Sequence, residues 1–301
     1  MILTILGSGS ATPTISRNPT AQLLEASGRF FLIDCGEGTQ HSLLRQKVST
    51  LKIDHIFISH LHGDHWLGLP GLVSSMHLGG RTNPLHIYCH SGLEDILKTI
   101  FKYSQTELRF EIVYHIHKDS GINQVYENSS LYVFIFPLKH RILCNGFLFQ
   151  EKPRLRNISR DALEIHRIPA EELQAVKEGA DWKSPKGAVI PNKLLTKDPK
   201  PSLSYAFCSD TVFDPEIVAY INGVDLLYHE ATFLEDMKPR AVQTFHTTAS
   251  EAGKIARMAE VKMLLIGHFS SRYKQIDYFL EEAKAEFSNT VLAFDGMKLE
   301  I

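Results

Sequence analysis

The densest chemistry in the chain is His60-Leu61-His62-Gly63-Asp64-His65, directly after the apolar run Ile53 to Ser59. Three imidazoles and one carboxylate stand within six residues. Neutral imidazole and carboxylate are the ligands zinc favours for hydrolysis. In an extended or turning segment, residues two apart point the same way, so His60 and His62 can share one ion. Asp64 and His65 fall on the next bend and reach a second. Two ions roughly 3.5–4 Å apart form a clamp for in-line displacement at phosphorus or attack on a carbonyl. A histidine-rich surface loop is the plain alternative in a chain with 15 histidines. The ligands available downstream weigh against it.

Those ligands stand where apolar runs end. The run Ser130 to Phe136 precedes His140, which falls between the first motif and a polar insertion and is read as the third ligand of the first ion. Tyr205 to Ser209 leads into Asp210. A carboxylate at the end of a buried strand is either a turn cap or a metal bridge, since an unpaired charge there is costly; the bridge fits this context. Met263 to Gly267 repeats the arrangement before His268, the last ligand of the second ion. Strand ends hold ligands on the rigid part of a fold. His115-Ile116-His117 is a control: it has the His-x-His spacing but no Asp-His, and Lys118 after it would repel a cation. It reads as a half-exposed pair on an alternating strand. His55, His77, His86, His90 and His166 read as ordinary histidines.

The elements that must position these residues follow from apolar period and turn residues. Strands are expected at 2–6, 22–26, 30–34, 53–59, 85–89, 110–116 and 130–136, with helices at 39–46, 69–77 and 93–103. After Lys152 six prolines, Pro153 to Pro201, punctuate a polar stretch with two short helical patterns, 160–165 and 170–178. That stretch reads as an insertion with little core of its own. Order returns with strands at 205–209, 224–229, 262–266 and 291–294 and helices at 248–260 and 276–287. Strands then helices, once in each half, predict an α/β fold with two sheet-and-helix layers face to face.

Composition narrows the class. The chain has 301 residues, 44% of them hydrophobic and 22% charged, typical of a soluble globular protein. No run approaches the ~20 apolar residues of a membrane span, and Met1 to Leu6 reads as a first strand and not a signal peptide. Cys35, Cys89, Cys144 and Cys208 are scattered without a Cys-x-x-Cys pair, as expected of reduced thiols in a cytoplasmic protein. The net charge of −2 argues against nucleic acid. Residues 150–200 nevertheless hold eleven Lys/Arg against eight Asp/Glu, the one basic stretch.

His-x-His-x-Asp-His after a hydrophobic strand resembles the metallo-β-lactamase superfamily, mostly two-metal hydrolases on an αββα sandwich. Phe31-Leu-Ile-Asp-Cys-Gly-Glu-Gly-Thr-Gln40, His229-Glu230-Ala231-Thr232-Phe233 and His246-Thr247-Thr248 look like segments of ribonuclease Z, the tRNA 3′-processing endoribonuclease. The resemblance runs from Met1 to Ile301. It implies a four-layer αββα metallo-β-lactamase sandwich, a single domain over 1–301 with a protruding flexible arm at about 150–200. It implies two Zn²⁺ per subunit, with Mn²⁺ or Co²⁺ as substitutes. His60, His62 and His140 would hold one ion, Asp64, His65 and His268 the other, and Asp210 would bridge them. Asp64 would also accept the proton of a metal-activated water.

The leaving group then needs a proton, and His246 at the start of a helix is the candidate. A helix N-terminus lowers a histidine pKa, so a carboxylate must restore it; Glu230 would supply it. The reaction implied is cleavage 3′ of the discriminator base of precursor tRNA, leaving a 3′-hydroxyl on the tRNA and a 5′-phosphate on the trailer. Ser270, Arg272 and Tyr273 would hold the RNA phosphate, Arg17 and Asn18 the acceptor end. A homodimer is implied, the arm of one subunit gripping tRNA cut by the other. Two departures stand out: Ile15 replaces the lysine the family usually carries in the N-terminal loop, and Arg167 to Glu172 puts acid where the arm tip is usually glycine-rich. They bear on discrimination against CCA ends and on the tRNA grip. The alternative reading is a two-metal phosphodiesterase on small cyclic or other diesters.

Overall fold

Two seven-stranded sheets carry the larger part of the chain. The computed structural model describes residues 1–117 and 121–301, so Lys118 lies outside the described residues. The chain divides into two compact units, Met1–Gln150 with Leu203–Ile301, and Glu151–Ser202.

In the larger unit the first sheet runs in the order Lys298–Glu300, Ile2–Gly7, Ala21–Ala26, Arg29–Ile33, Ile53–Phe57, Leu85–Cys89, Ile112–Ile116. The pairs up to Arg29–Ile33 are antiparallel and the rest parallel. The second runs Thr290–Leu292, Met263–Gly267, Leu226–Glu230, Ser204–Cys208, Cys144–Glu151, Leu131–Leu138, Asn123–Glu127. Parallel neighbours need a crossover, usually a helix. Leu69–Leu78 and Leu93–Tyr103 serve the first sheet, Ala249–Met258 and Asp277–Glu286 the second.

Period-two alternation assigns each strand residue to a layer. Phe31, Phe57, Phe147, Tyr205, Phe207, Tyr228 and Leu265 fill the space between the sheets. Their neighbours Leu32 and Ile56 pack under the helices of the first half. Ala206, Leu227 and Leu264 do so in the second. Strands covered on both faces read as unbroken apolar runs, which is why the central ones were visible. The result is an αββα sandwich of the metallo-β-lactamase type.

Three strands carried no readable pattern. Cys144–Glu151 is almost wholly buried, yet Asn145 and Gly146 interrupt its apolar run. Gly146 answers to packing: a Cβ there would lie 2.4 Å from the Phe136 ring. Asn123–Glu127 is polar, and Lys298–Glu300 is too short to show a period.

The smaller unit corrects one expectation. It has a core of its own, with Ala162, Ile168, Val176, Trp182 and Leu195 buried and Ile158, Leu173 and Ile190 packed against them. These residues lie at irregular intervals in the short stretches between Pro153 and Pro199, so no sustained period announces them. Asn192 Nδ2 donates to the carbonyls of Val176 and Ala180, both at 2.7 Å. Ser159 Oγ caps the helix Arg160–His166 by accepting from the Ala162 N–H at 3.1 Å. Among the described residues no helix is long and apolar enough to cross a membrane.

Candidate metal centre

The strands Ile53–Phe57, Leu131–Leu138, Ser204–Cys208 and Met263–Gly267 end shortly before His60, His140, Asp210 and His268. Sites at the carboxyl ends of strands are the rule in α/β sheets. Here they produce three overlapping groups of ligand atoms: His60 with His62, His140 and Asp210; Asp64 with His65 and His268; and Asp210 with His246 and His268. Glu230 engages His246 Nδ1 at 2.9 Å, which leaves the first two groups as the main clusters. In the first, His62 Nδ1 lies 3.0 Å from His60 Nε2 and 3.1 Å from His140 Nε2. Asp210 Oδ2 stands 3.6 Å from His60 Nε2 and 3.9 Å from His140 Nε2. In the second, Asp64 Oδ2 is 3.4 Å from His65 Nε2 and 3.5 Å from His268 Nε2. Asp210 Oδ1 is 3.5 Å and 3.2 Å from the same two nitrogens. Asp210 thus offers one oxygen to each cluster. Metal–ligand bonds of ~2.0–2.1 Å in tetrahedral array put ligand atoms roughly 3.3 Å apart, close to both sets.

Hydrogen bonding shows what the clusters lack. At the second, His65 Nε2, His268 Nε2 and Asp210 Oδ1 are buried and, among the described residues, without a hydrogen-bond partner. The opposite nitrogens are engaged. His65 Nδ1 donates to Asp34 Oδ2 at 2.7 Å and His140 Nδ1 to the Phe245 carbonyl at 2.9 Å. With Nδ1 as the donor, each imidazole in its neutral form would turn the Nε2 lone pair to the cluster. His268 Nδ1 lies 2.9 Å from Thr232 Oγ1 and His60 Nδ1 3.1 Å from Ser59 Oγ. Orphaned buried acceptors cost about 1–3 kcal/mol each, and a cation satisfies them together. The donor set fits divalent metal.

Electrostatics divide the ligands: against burial, Asp64, Asp210 and Asp34 raise His65 well above the ordinary histidine value, so a metal would displace its proton. Burial, reinforced by the neighbouring His65, holds His60 well below the ordinary histidine pKa, as a ligand must be to stay neutral. Burial would raise Asp210, but His268, His65 and His246 hold it well below the carboxylate range. Asp64 is lowered in the same way, against burial, chiefly by His65. Three residues that shape the site have left-handed backbone: Asp34 at φ 55°, Phe245 at φ 60° and His268 at φ 63°. Such conformations cost roughly 1–3 kcal/mol apiece and cluster at functional sites.

Glu230 and His246 meet beside Asp210. Glu230 Oε1 accepts from His246 Nδ1 at 2.9 Å, from the Thr247 N–H at 3.0 Å and from the Thr211 N–H at 3.3 Å. Oε2 accepts from the Thr232 N–H at 2.9 Å and hydroxyl at 2.8 Å. Against desolvation by burial, the charges of Glu230 and Asp210 raise His246 to about 9. A capping box of Thr248 and Glu251 starts the helix Ala249–Met258 immediately after.

Arg17 and Asn18, expected to hold RNA, are engaged within the protein. Arg17 is buried and its Nη2 donates to the carbonyls of Tyr273, at 2.7 Å, and Ser270, at 3.4 Å. Asn18 Nδ2 donates to Ser42 Oγ at 2.9 Å, and its N–H to Asp295 Oδ2 at 2.8 Å. Arg17 ties the N-terminal loop to the segment 270–273, and Asn18 ties it to Ser42 and Asp295. From that segment Arg272 is exposed, its guanidinium 5.3 Å above the Phe233 ring and its Nε 3.2 Å from Ser270 Oγ. The Tyr273 hydroxyl accepts from the Leu234 N–H at 3.3 Å. Ile15 stands fully exposed.

His115 and His117 do not form a half-exposed pair. His115 stacks on Tyr88 with ring centroids 4.3 Å apart, whereas His117 is buried with Nδ1 3.0 Å from Asn145 Oδ1. Separate partners hold them. The four cysteines are free and buried. Asp34, Thr232 and the Phe245 carbonyl, which orient metal-facing imidazoles, were missed. Asp34 carried the signal already used for Asp210, a carboxylate where an apolar strand ends.

Comparisons with known proteins place this geometry. A family model described as "Anti-Pycsar protein Apyc1" matches residues 1–155. A protein of Bacteroides thetaiotaomicron named "Ribonuclease Z" is 46% identical over 299 residues, covering 99% of this chain and 95% of its own length. One of the same name from Porphyromonas gingivalis is 44% identical over 297 residues, covering 99% and 98%. The crystal structure of the short form of human tRNase Z superposes with a TM-score of 0.73 at 27% identity, covering 100% of this chain and 99% of that one. A metallo-β-lactamase fold protein of Bacillus subtilis reaches a TM-score of 0.70 at 18% identity, covering 100% and 99%, and shares the fold.

Proposed function

Because this chain belongs to the ribonuclease Z family, we propose that the centre between its sheets is where a tRNA 3′-processing endoribonuclease cuts its substrate. The enzyme is a hydrolase of the metallo-β-lactamase superfamily that uses divalent metal. The span matched by the Apyc1 family model, residues 1–155, contains His60 to His140 but not Asp210, Glu230, His246 or His268. The ribonuclease Z relatives cover them all.

The finer assignment is two Zn²⁺ per chain. His60, His62 and His140 would hold one, Asp64, His65 and His268 the other, with an oxygen of Asp210 available to each. The observation that carries this is the convergence of imidazole and carboxylate atoms on two adjoining points, with buried His65 Nε2, His268 Nε2 and Asp210 Oδ1 unpartnered at the second among the described residues. Such ions supply a water of lowered pKa and positive charge for the phosphate oxygens. Asp64 takes up the proton of the attacking water, with its Oδ2 steadied by the Ala11 N–H at 2.8 Å. His246, kept cationic by Glu230, gives its proton to the departing 3′-oxygen. Glu230 is the positioning residue: it fixes the ring and ties the loops at Thr211, Thr232 and Thr247 to it. Ser270, Arg272 and Tyr273 face the RNA backbone, and Arg272 suits a two-pronged grip on phosphate. The basic unit at 151–202 holds the tRNA body of a substrate cut in the partner subunit of a homodimer.

The test is to incubate the protein with precursor tRNA lacking encoded CCA and, separately, with a small chromogenic phosphodiester. The expected result is a single cut 3′ of the discriminator, with kcat/KM for the tRNA far above that for the diester. Turnover of the diester with the tRNA left intact would favour a small-diester phosphodiesterase.

A further inference from the structure

We propose that the cavity beside His140 is a nucleobase subsite for the nucleotide immediately upstream of the cut. The proposal rests on the endoribonuclease reading and adds where that substrate's last retained base sits. The cavity measures about 700 Å³, and His140 forms part of its wall. That volume falls within the roughly 300–1,000 Å³ of small-ligand sites. One side is apolar, from Leu61, Ile142 and Leu143, and buried His90 adds a polar ring. Arg141 lines it too, is exposed, and forms no ion pair among the described residues.

Ile142 and Leu143 are 37% and 56% exposed, side by side on a turn where polar residues are the norm. Apolar groups open to solvent at the edge of a site mark a contact surface. Splayed-out bases are recognised by this chemistry: an apolar or guanidinium plane for the ring face, and a few polar atoms for the edge.

Position selects the nucleotide. The His140 and His246 rings lie 5.4 Å apart, and the carbonyl of Phe245, the residue before His246, accepts from His140 Nδ1. His246 protonates the departing oxygen, which is the 3′-oxygen of the upstream nucleoside. The ribose bearing that oxygen therefore lies against His140, which forms part of the cavity wall.

Precursor tRNAs that lack the base of the upstream nucleotide test this on the unaltered enzyme, beside intact substrate and one lacking the base just downstream. The expected result is a rise in KM of at least tenfold for the upstream-abasic substrate. Ile142→Ser with Leu143→Ser, both at exposed positions, should raise KM for intact substrate by a similar factor. It should add little on the upstream-abasic one, because both changes remove one contact. Equal KM for intact and upstream-abasic substrates overturns the proposal while leaving the endoribonuclease reading in place. So does coupling of the double variant to the downstream base. Failure of the unaltered enzyme to cut intact precursor would instead overturn the reading beneath it.

Discussion

Replacing Glu230 by glutamine separates the two things its carboxylate does. The side chain is fully buried and accepts from three donors on Oε1 and two on Oε2. An amide keeps one acceptor oxygen and brings an NH₂ group. Its least harmful orientation leaves the oxygen at Oε1 and points NH₂ at Thr232. The Thr232 hydroxyl can turn to accept, but the Thr232 N–H is left facing another N–H. One such buried mismatch costs about 1–3 kcal/mol, so Glu230→Gln should fold with a melting temperature lower by a few degrees.

The catalytic loss has a different origin. Glu230 is the leading cause of the raised His246 value, about 9, and without it burial draws the imidazole down. Loss of a positioned general acid is worth typically 10²–10⁴-fold. Glu230→Gln should therefore lower kcat on precursor tRNA by about 10²-fold, and His246→Ala by that or more, with metal content unchanged in both. The alkaline limb of the kcat profile should move to lower pH in Glu230→Gln. Bound cations lower His246 in both proteins, so the comparison is between limbs and not with an absolute value. The sign for stability follows from a raised folded pKa: the His246–Glu230 pair contributes fully below the ordinary ~6.5 and loses its contribution as pH rises through about 9. The gap in melting temperature should narrow along that range. Unchanged kcat with an unmoved alkaline limb, or metal lost from His246→Ala, would refute the assignment of His246 as the acid.

Asp34→Asn weakens the orientation of His65 and should cost 10–100-fold in metal affinity, read by chelator competition; unaltered affinity would make Asp34 purely structural. Deleting Arg154 to Lys197 should raise KM for precursor tRNA steeply and leave hydrolysis of the small diester near its original rate, as remote uniform binding energy requires. Equal loss on both substrates would make the segment a folding element.

The sequence exposed what is periodic or locally dense. The His60 to His65 run, the apolar strands that stop at His140, Asp210 and His268, and the helix beginning at Thr248 could all be read from local order. So could the meeting of His246 with Glu230, because a helix N-terminus demanded a carboxylate. Contacts made across the fold could not. Nothing local says that Asp34 reaches His65, that Thr232 reaches His268, or that the Phe245 carbonyl turns back to His140. Left-handed backbone at Asp34, Phe245 and His268 is set by the surrounding structure and leaves no mark in the local sequence. Nor does the N-terminal loop announce that Arg17 closes on the carbonyls of Ser270 and Tyr273. The small core around Trp182 stayed hidden because its members are few and irregularly spaced along a polar, proline-interrupted stretch.

The central claim is that two ions sit where His65 Nε2, His268 Nε2 and the two oxygens of Asp210 converge with His60, His62, His140 and Asp64. Elemental analysis of protein purified without added metal or chelator addresses it most directly, paired with cleavage of precursor tRNA before and after chelation. The account predicts close to two equivalents of Zn, or of Mn or Co in its place, per chain, with activity lost on chelation and restored by the ion. Trace metal alone, in a protein that cuts precursor tRNA at full rate in the presence of chelator, would contradict it.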